Sequence, residues 1–209
     1  MSKDNRVRLA VYKFSSCDGC QLQVLNIEDD LLELANQVEV SYFMEATRRA
    51  QPGPYDLALV EGSVSTPHEE DVIKKAREDS KLLVAIGACA TAGGIQALRN
   101  WSDVELFKKI VYPRPEWITA LKTATPISQH VKVDLELMGC PINKSQLVYV
   151  ISQLLRGKKP YVPTYSVCLE CKAKGTPCVV VAKNIPCVGP VTMAGCGAIC
   201  PSYGRGCYS

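Results

Sequence analysis

Along the first 157 residues, apolar runs of strand length alternate with segments whose apolar positions recur at helical spacing. Residues 8–14 are rich in branched and aromatic side chains and predict a buried strand. From residue 21 to 34, Leu22, Leu25, Leu31, Leu32 and Leu34 fall mostly at helical spacing, leaving Glu28, Asp29, Asp30 and Glu33 for the wet side. Residues 38–44 and 55–60 predict a second and a third strand, separated by a loop that carries Pro52, Gly53 and Pro54. Residues 67–79 predict a helix opened by proline and two glutamates, with Val72, Ile73 and Ala76 as its apolar face. Residues 81–86 read as a fourth strand and 91–98 as a short helix; 100–130 show no clear period and read as an irregular excursion. A fifth strand at 133–137 and a strong helix at 143–155 complete the pattern. This alternation predicts an α/β fold, a parallel sheet with helices on both faces.

Residues 157–163, Gly-Lys-Lys-Pro-Tyr-Val-Pro, are a linker by composition, so the chain divides into an α/β domain at 1–157 and a second domain at 158–209. The second is spaced as Cys168-x2-Cys171-x6-Cys178-x8-Cys187-x8-Cys196-x3-Cys200-x6-Cys207, punctuated by Gly and Pro. That spacing leaves little room for regular structure, and order there is expected to come from metal.

Composition narrows the chemistry. Hydrophobic residues at 47% and charged residues at 22% describe a globular chain, and a net charge of +3 is too small to point to nucleic acid or an acidic membrane surface. The chain has 11 cysteines and shows no secretory, twin-arginine or transmembrane segment, so a cytoplasmic location and metal ligation rather than disulfides are expected.

Topology then groups the cysteines. Cys17 and Cys20 follow the first predicted strand, Cys89 the fourth and Cys140 the fifth; Glu61 ends the third. In an open parallel sheet these positions share the carboxyl edge, which makes one tetrahedral iron-sulfur or zinc site. Gly19 permits a tight turn, and the start of the following helix should favour thiolate at Cys17 and Cys20. Cys168, Cys171, Cys178 and Cys187 form a second set, and Cys196, Cys200 and Cys207 remain for a third, enough for a three-iron cluster. Against zinc, a ribbon site wants two CxxC knuckles, whereas the tail has one. Glu61 suits either a proton relay beside the first site or an N-cap for the next helix. The remaining candidates read as structure: His68 and His130 as surface residues, Arg48-Arg49 and Lys158-Lys159 as solvated charges, Met44, Met138 and Met193 as packing.

With Cys17-Asp18-Gly19-Cys20-Gln21, Val60-Glu61-Gly62-Ser63, Gly87-Ala88-Cys89-Ala90, Gly139-Cys140-Pro141, the run from Pro186 to Thr192, and Cys196-Gly197-Ala198-Ile199-Cys200-Pro201 in this order, the chain resembles the small subunit of nickel-iron hydrogenases. It is most similar to the soluble cytoplasmic, multisubunit enzymes of the sulfhydrogenase and methyl-viologen-reducing types. The resemblance implies a flavodoxin-like domain holding a proximal cluster at Cys17, Cys20, Cys89 and Cys140. It further implies a small domain holding two more clusters, three in all and mostly four-iron. In close relatives a further cysteine follows, which CxxC spacing would place one residue beyond Ser209; without it the third cluster is three-iron or short of a ligand. The hydrogen-activating centre is implied to lie in a large partner subunit, so no catalytic residue is expected here beyond the candidate Glu61. Electrons are implied to pass between that centre and a further iron-sulfur or flavin diaphorase-like subunit, by way of the first cluster, the Cys196 group and the Cys168 group. Membrane-bound relatives carry a histidine where Cys168 stands, and the related complex I subunit has adjacent cysteines in place of CxxC. The alternatives are a quinone-linked subunit of the complex I type, a zinc-binding scaffold, and a flavin carrier whose phosphate loop would need Ser15, Ser16 and Gly19.

Overall fold

The computed structural model describes residues 6–27 and 38–208. β1 (Val7–Lys13), β2 (Val38–Phe43), β3 (Tyr55–Glu61), β4 (Ser80–Ile86) and β5 (Leu135–Leu137) form one sheet in the order β2-β1-β3-β4-β5, and every neighbouring pair is parallel. This is the flavodoxin-like order, in which the chain reverses direction across the sheet between β1 and β3. Both faces of the central strands are covered. Ala10, Tyr12, Val60, Leu83 and Ala85 pack on one side with Ile73 and Ala76, while Val11, Leu59, Val84 and Ile86 on the alternate positions are also buried. Burial on both faces explains the near-continuous apolar runs of these strands.

The first helix, α1 (Gly19–Leu25), buries Cys20, Gln21 and Val24 and leaves Leu22 and Leu25 exposed, the reverse of the face expected from leucine spacing. The rest of that predicted helix, from residue 28, lies outside the described residues. α2 (Pro67–Glu78) starts at a reciprocal cap: Glu69 N–H donates to Thr66 Oγ1, and Thr66 N–H donates to Glu69 Oε2. The short helix expected at 91–98 begins earlier, as α3 (Gly87–Ala92). It stops at Gly93 and Gly94, with φ of 87° and 62°, before a 3-10 turn at Ile95–Trp101. The excursion at 100–130 contains a helix, α4 (Val104–Val111), capped by the Asp103 side chain. Its apolar positions do recur at helical spacing, but in a stretch broken by Pro113 and Pro115, and in the fold the helix buries no residue: Phe107, Ile110 and Val111 face outward.

Contacts divide the chain into two compact units, Met1–Lys144 and Ser145–Ser209. α5 (Lys144–Leu155) begins at the division and buries Leu147, Val150 and Ile151. The cysteine-rich segment is more regular than its composition suggests, with α6 (Val167–Ala173), α7 (Val179–Lys183) and α8 (Ile199–Ser202). Each of these short helices contains a cysteine or starts beside one, so local backbone bonding and ligand placement coincide. Among the described residues no helix is long and apolar enough to cross a membrane.

One carboxylate pins the short edge strand. Asp134, just before β5, accepts from Leu83 N–H at 2.9 Å and from Arg77 at 2.5 Å, and Arg77 also donates to the carbonyls of Ser80 and Lys81. Burial works to raise the Asp134 carboxyl, but the Leu83 N–H and the Arg77 guanidinium prevail and hold it below its ordinary value. A carboxyl lowered on folding lends stability that is present above its unfolded value near ~4 and lost as pH falls through the folded one. Asp134→Ala is expected to cost about 2 kcal/mol at neutral pH. The gap to wild type should narrow as the pH drops below about 4, which urea unfolding across pH measures.

Candidate metal centre

Because β1, β3, β4 and β5 are parallel, the segments leaving them all emerge on one edge of the sheet. Cys17 and Cys20 follow β1, Glu61 ends β3, Cys89 lies in α3 straight after β4, and Cys140 follows β5. Backbone bonds tie these segments together: Phe14 N–H to Glu61 O at 2.8 Å, Ser63 N–H to Ser15 O at 2.9 Å, and Ala88 N–H to Gly139 O at 2.7 Å. The four thiols are close enough to bias one another's ionisation, Cys20 with Cys89 and Cys140, and Cys89 with Cys17 and Cys140.

Two glycines make room for the sulfurs. A side chain on Gly87, at φ +85°, would collide with Cys20 Sγ, and one on Gly94, at φ +62°, would come within 2.5 Å of Cys89 Sγ. The sequence reading placed Gly87 in the Gly87-Ala88-Cys89-Ala90 motif without giving it this role, and gave Gly94 none. Gln96 was also missed: its Nε2 donates to Ser15 O at 3.0 Å and its amide faces the Cys89 thiol.

Electrostatics here correct one expectation. Burial pushes the Cys20 thiol up to about 12, helped by the Glu61 carboxylate and the neighbouring thiols and opposed by the Ile142 N–H. Burial likewise raises Cys89, with Gln96 opposing. At Cys20 the start of α1 therefore does not win over desolvation, and a thiolate there would need a cationic group beside it. Cys17 and Cys140 are exposed, so the edge opens to solvent on one side. Among the described residues no three His, Cys, Asp or Glu side chains are placed to share a single metal ion. A tetrahedral zinc would draw its sulfurs to within roughly 4 Å of each other, whereas a multi-iron cluster accepts a wider set.

Glu61 is 2% exposed. Its Oε1 accepts from Cys20 N–H at 3.2 Å, and its Oε2 has no partner among the described residues. Burial raises its carboxyl above the ordinary value, against the pull of the Cys20 N–H. The N-cap alternative is set aside, because Thr66 caps α2. Behind Cys17, the cap residue Glu69 also serves the loop after β1: Ser15 Oγ donates to Glu69 Oε1 at 2.8 Å, while Ser65 N–H donates to Oε2 at 2.7 Å.

In the second unit Cys171 lies near Cys168, Cys178 and Cys187, and burial followed by these thiols raises it. Cys178 stands at the start of α7, where the Val181 and Val180 N–H groups hold its thiol below the ordinary value. A side chain at Gly189 would meet Cys187 Sγ at 3.3 Å and Cys168 Sγ at 3.8 Å. For Cys196, Cys200 and Cys207 the described contacts run elsewhere. Cys207 N–H donates to Cys187 Sγ at 3.2 Å, Cys196 is exposed beside Glu170, and the Cys200 carbonyl accepts within its own turn.

The remaining candidates split. His68, Arg48, Arg49, Lys158 and Lys159 are exposed. His130 is not a surface residue: its side chain is 14% exposed and its Nε2 pairs with Thr125 Oγ1 at 2.7 Å. Met44, Met138 and Met193 are more exposed than a packing role implies, at 52%, 39% and 36%.

Residues 17–154 match the family described as NADH ubiquinone oxidoreductase, 20 Kd subunit. The chain is 39% identical over 201 residues to the sulfhydrogenase 2 subunit delta of Pyrococcus furiosus, spanning 96% of this chain and 84% of that one. It is 33% identical over 235 residues to a subunit of the F420-non-reducing hydrogenase vhu of Methanocaldococcus jannaschii, spanning 97% of this chain and 81% of that one. Among solved structures, a chain of an NAD+-reducing NiFe-hydrogenase in the H2-reduced state superposes with a TM-score of 0.71 at 31% identity, over 76% of this chain and 96% of the other. With the sheet order and the cysteine-bearing edge, these likenesses settle the family: the chain belongs to the NADH ubiquinone oxidoreductase 20 Kd subunit family and, within it, with the small subunits of nickel-iron hydrogenases, oxidoreductases that act on hydrogen.

Proposed function

We propose that this chain is the electron-transfer subunit of a nickel-iron hydrogenase, working beside a separate large subunit that activates hydrogen and a further iron-sulfur or flavin subunit that exchanges electrons with it. The convergence of Cys17, Cys20, Cys89 and Cys140 on one sheet edge carries this reading. These four residues would hold the first cluster, Cys168, Cys171, Cys178 and Cys187 a second, and Cys196, Cys200 and Cys207 a third, in domains proposed at 1–157 and 158–209. When bound, the clusters supply one-electron transfer. The protein fixes the sulfurs, screens them by burial and directs N–H groups at them, as Val180 and Val181 do at Cys178 and Cys207 does at Cys187. Glu61 is placed to hold a proton at Oε2, beside the backbone of a ligand.

Partner dependence is supported by an apolar surface. Ile95, Leu98, Trp101, Phe107, Ile110 and Trp117 are all more than half exposed within one short stretch, and Gln96 anchors that stretch to the loop of the first site. Patches of this kind mark protein interfaces.

Metal analysis of the anaerobically purified complex tests the proposal. About twelve irons per copy, or about eleven with a three-iron third cluster, are expected, with nickel present only when a large partner co-purifies. Zinc without iron would leave a structural scaffold instead.

Gly87→Ala is expected to displace Cys20 Sγ and remove about four irons while the other clusters' EPR signals persist. Glu61→Gln should retain its iron yet lower hydrogen turnover roughly tenfold or more, the scale of a lost proton carrier. Unchanged turnover would remove Glu61 from the proton path. Trp101→Asp combined with Ile110→Asp should reduce recovery of the large partner in pull-downs without changing the iron content of this chain.

A further inference from the structure

Glu170 lies between Cys168 and Cys171 on α6, yet both of its carboxylate oxygens serve a different segment. Oε1 accepts from Gly195 N–H at 2.9 Å and Oε2 accepts from Ala198 N–H at 3.0 Å. Oε2 also stands 3.9 Å from Cys196 Sγ. One side chain therefore joins the helix that carries two cysteines of the second set to the loop that carries the first cysteine of the third.

That loop needs holding. Gly195, Gly197 and Ala198 have φ of 137°, 67° and 51°, and Ala198, fully buried, occupies a left-handed conformation that L-residues with a Cβ disfavour. Its preceding residues are also laid against the start of α6: Val167 N–H donates to Thr192 O at 3.0 Å and Ala194 N–H donates to Tyr165 O at 2.8 Å. Glu170 closes the far side of the same loop. The charge matters as well as the geometry. A carboxylate held by two backbone N–H groups stays in place after Cys196 loses its proton to become a ligand, and its negative charge then opposes the arrival of an electron beside it.

We propose that Glu170 is a positioning residue that clamps the Cys196 loop to α6 and lowers the reduction potential of the cluster that Cys196 ligates. This rests on the electron-transfer reading above. The family likeness assigns ligands and not this carboxylate, and its signal in the sequence is only an acidic residue inside Cys168-x2-Cys171.

The test uses the whole complex, purified anaerobically, with Glu170→Gln and Glu170→Asp compared with wild type by iron content and EPR-monitored redox titration. Glu170→Gln should move one midpoint potential upward and leave that of the first cluster where it is, while Glu170→Asp, which keeps the charge, should stay near wild type. Loss of one cluster's iron from Glu170→Gln, with the other signals intact, would equally support the clamp. Full iron with unmoved midpoints in Glu170→Gln overturns the proposal, as does an equal shift in both variants. Absence of iron from the wild-type complex would instead fell the electron-transfer reading, and this proposal with it, before any variant is compared.

Discussion

Parallel strand direction is the constraint on which the first unit depends. Once β1, β3, β4 and β5 run the same way, residues separated by more than a hundred positions must leave the sheet on one edge. No local motif brings Cys17 to Cys140; the sheet does. The hydrophobic burial that stacks Val11, Leu59 and Val84 on one face and Tyr12, Val60 and Ala85 on the other is therefore also what brings the four cysteine-bearing segments together. The reversal between β1 and β3 opens the crevice where such folds bind ligands, and here CxxC and a buried glutamate stand in it.

Much of this was legible in the sequence, for a physical reason. Strands buried on both faces leave long apolar runs with little alternation, and residues 8–14, 55–60 and 81–86 show them plainly. Parallel strand direction followed from the alternation with helices, and the cysteine grouping followed from the shared carboxyl edge; the order of the strands came only with the structure. What was not legible has several causes. α4 has a marked apolar face, but it sits in a stretch interrupted by proline and tryptophan and no residue of it is fully buried. The exposed leucines of α1 misdirected the face assignment, since Cys20, Gln21 and Val24 are its buried residues. The short helices among the tail cysteines are too brief to show a period.

The thiol environments differ from one cysteine to the next. Burial raises Cys20, Cys89 and Cys171, and Cys20 holds its proton to about 12. At Cys178, by contrast, two backbone N–H groups favour the ionised sulfur from the outset. Gly62 belongs to the same pattern of close packing at the edge: at φ +97° it lets the backbone after β3 pass within van der Waals reach of Phe14, where any side chain would meet the main chain.

Glu69 carries a further consequence. One oxygen completes the cap of α2 and the other receives the Ser15 hydroxyl just ahead of Cys17, so two segments far apart in sequence share one anchor. The start of α2 and the approach to Cys17 therefore cannot shift independently of each other.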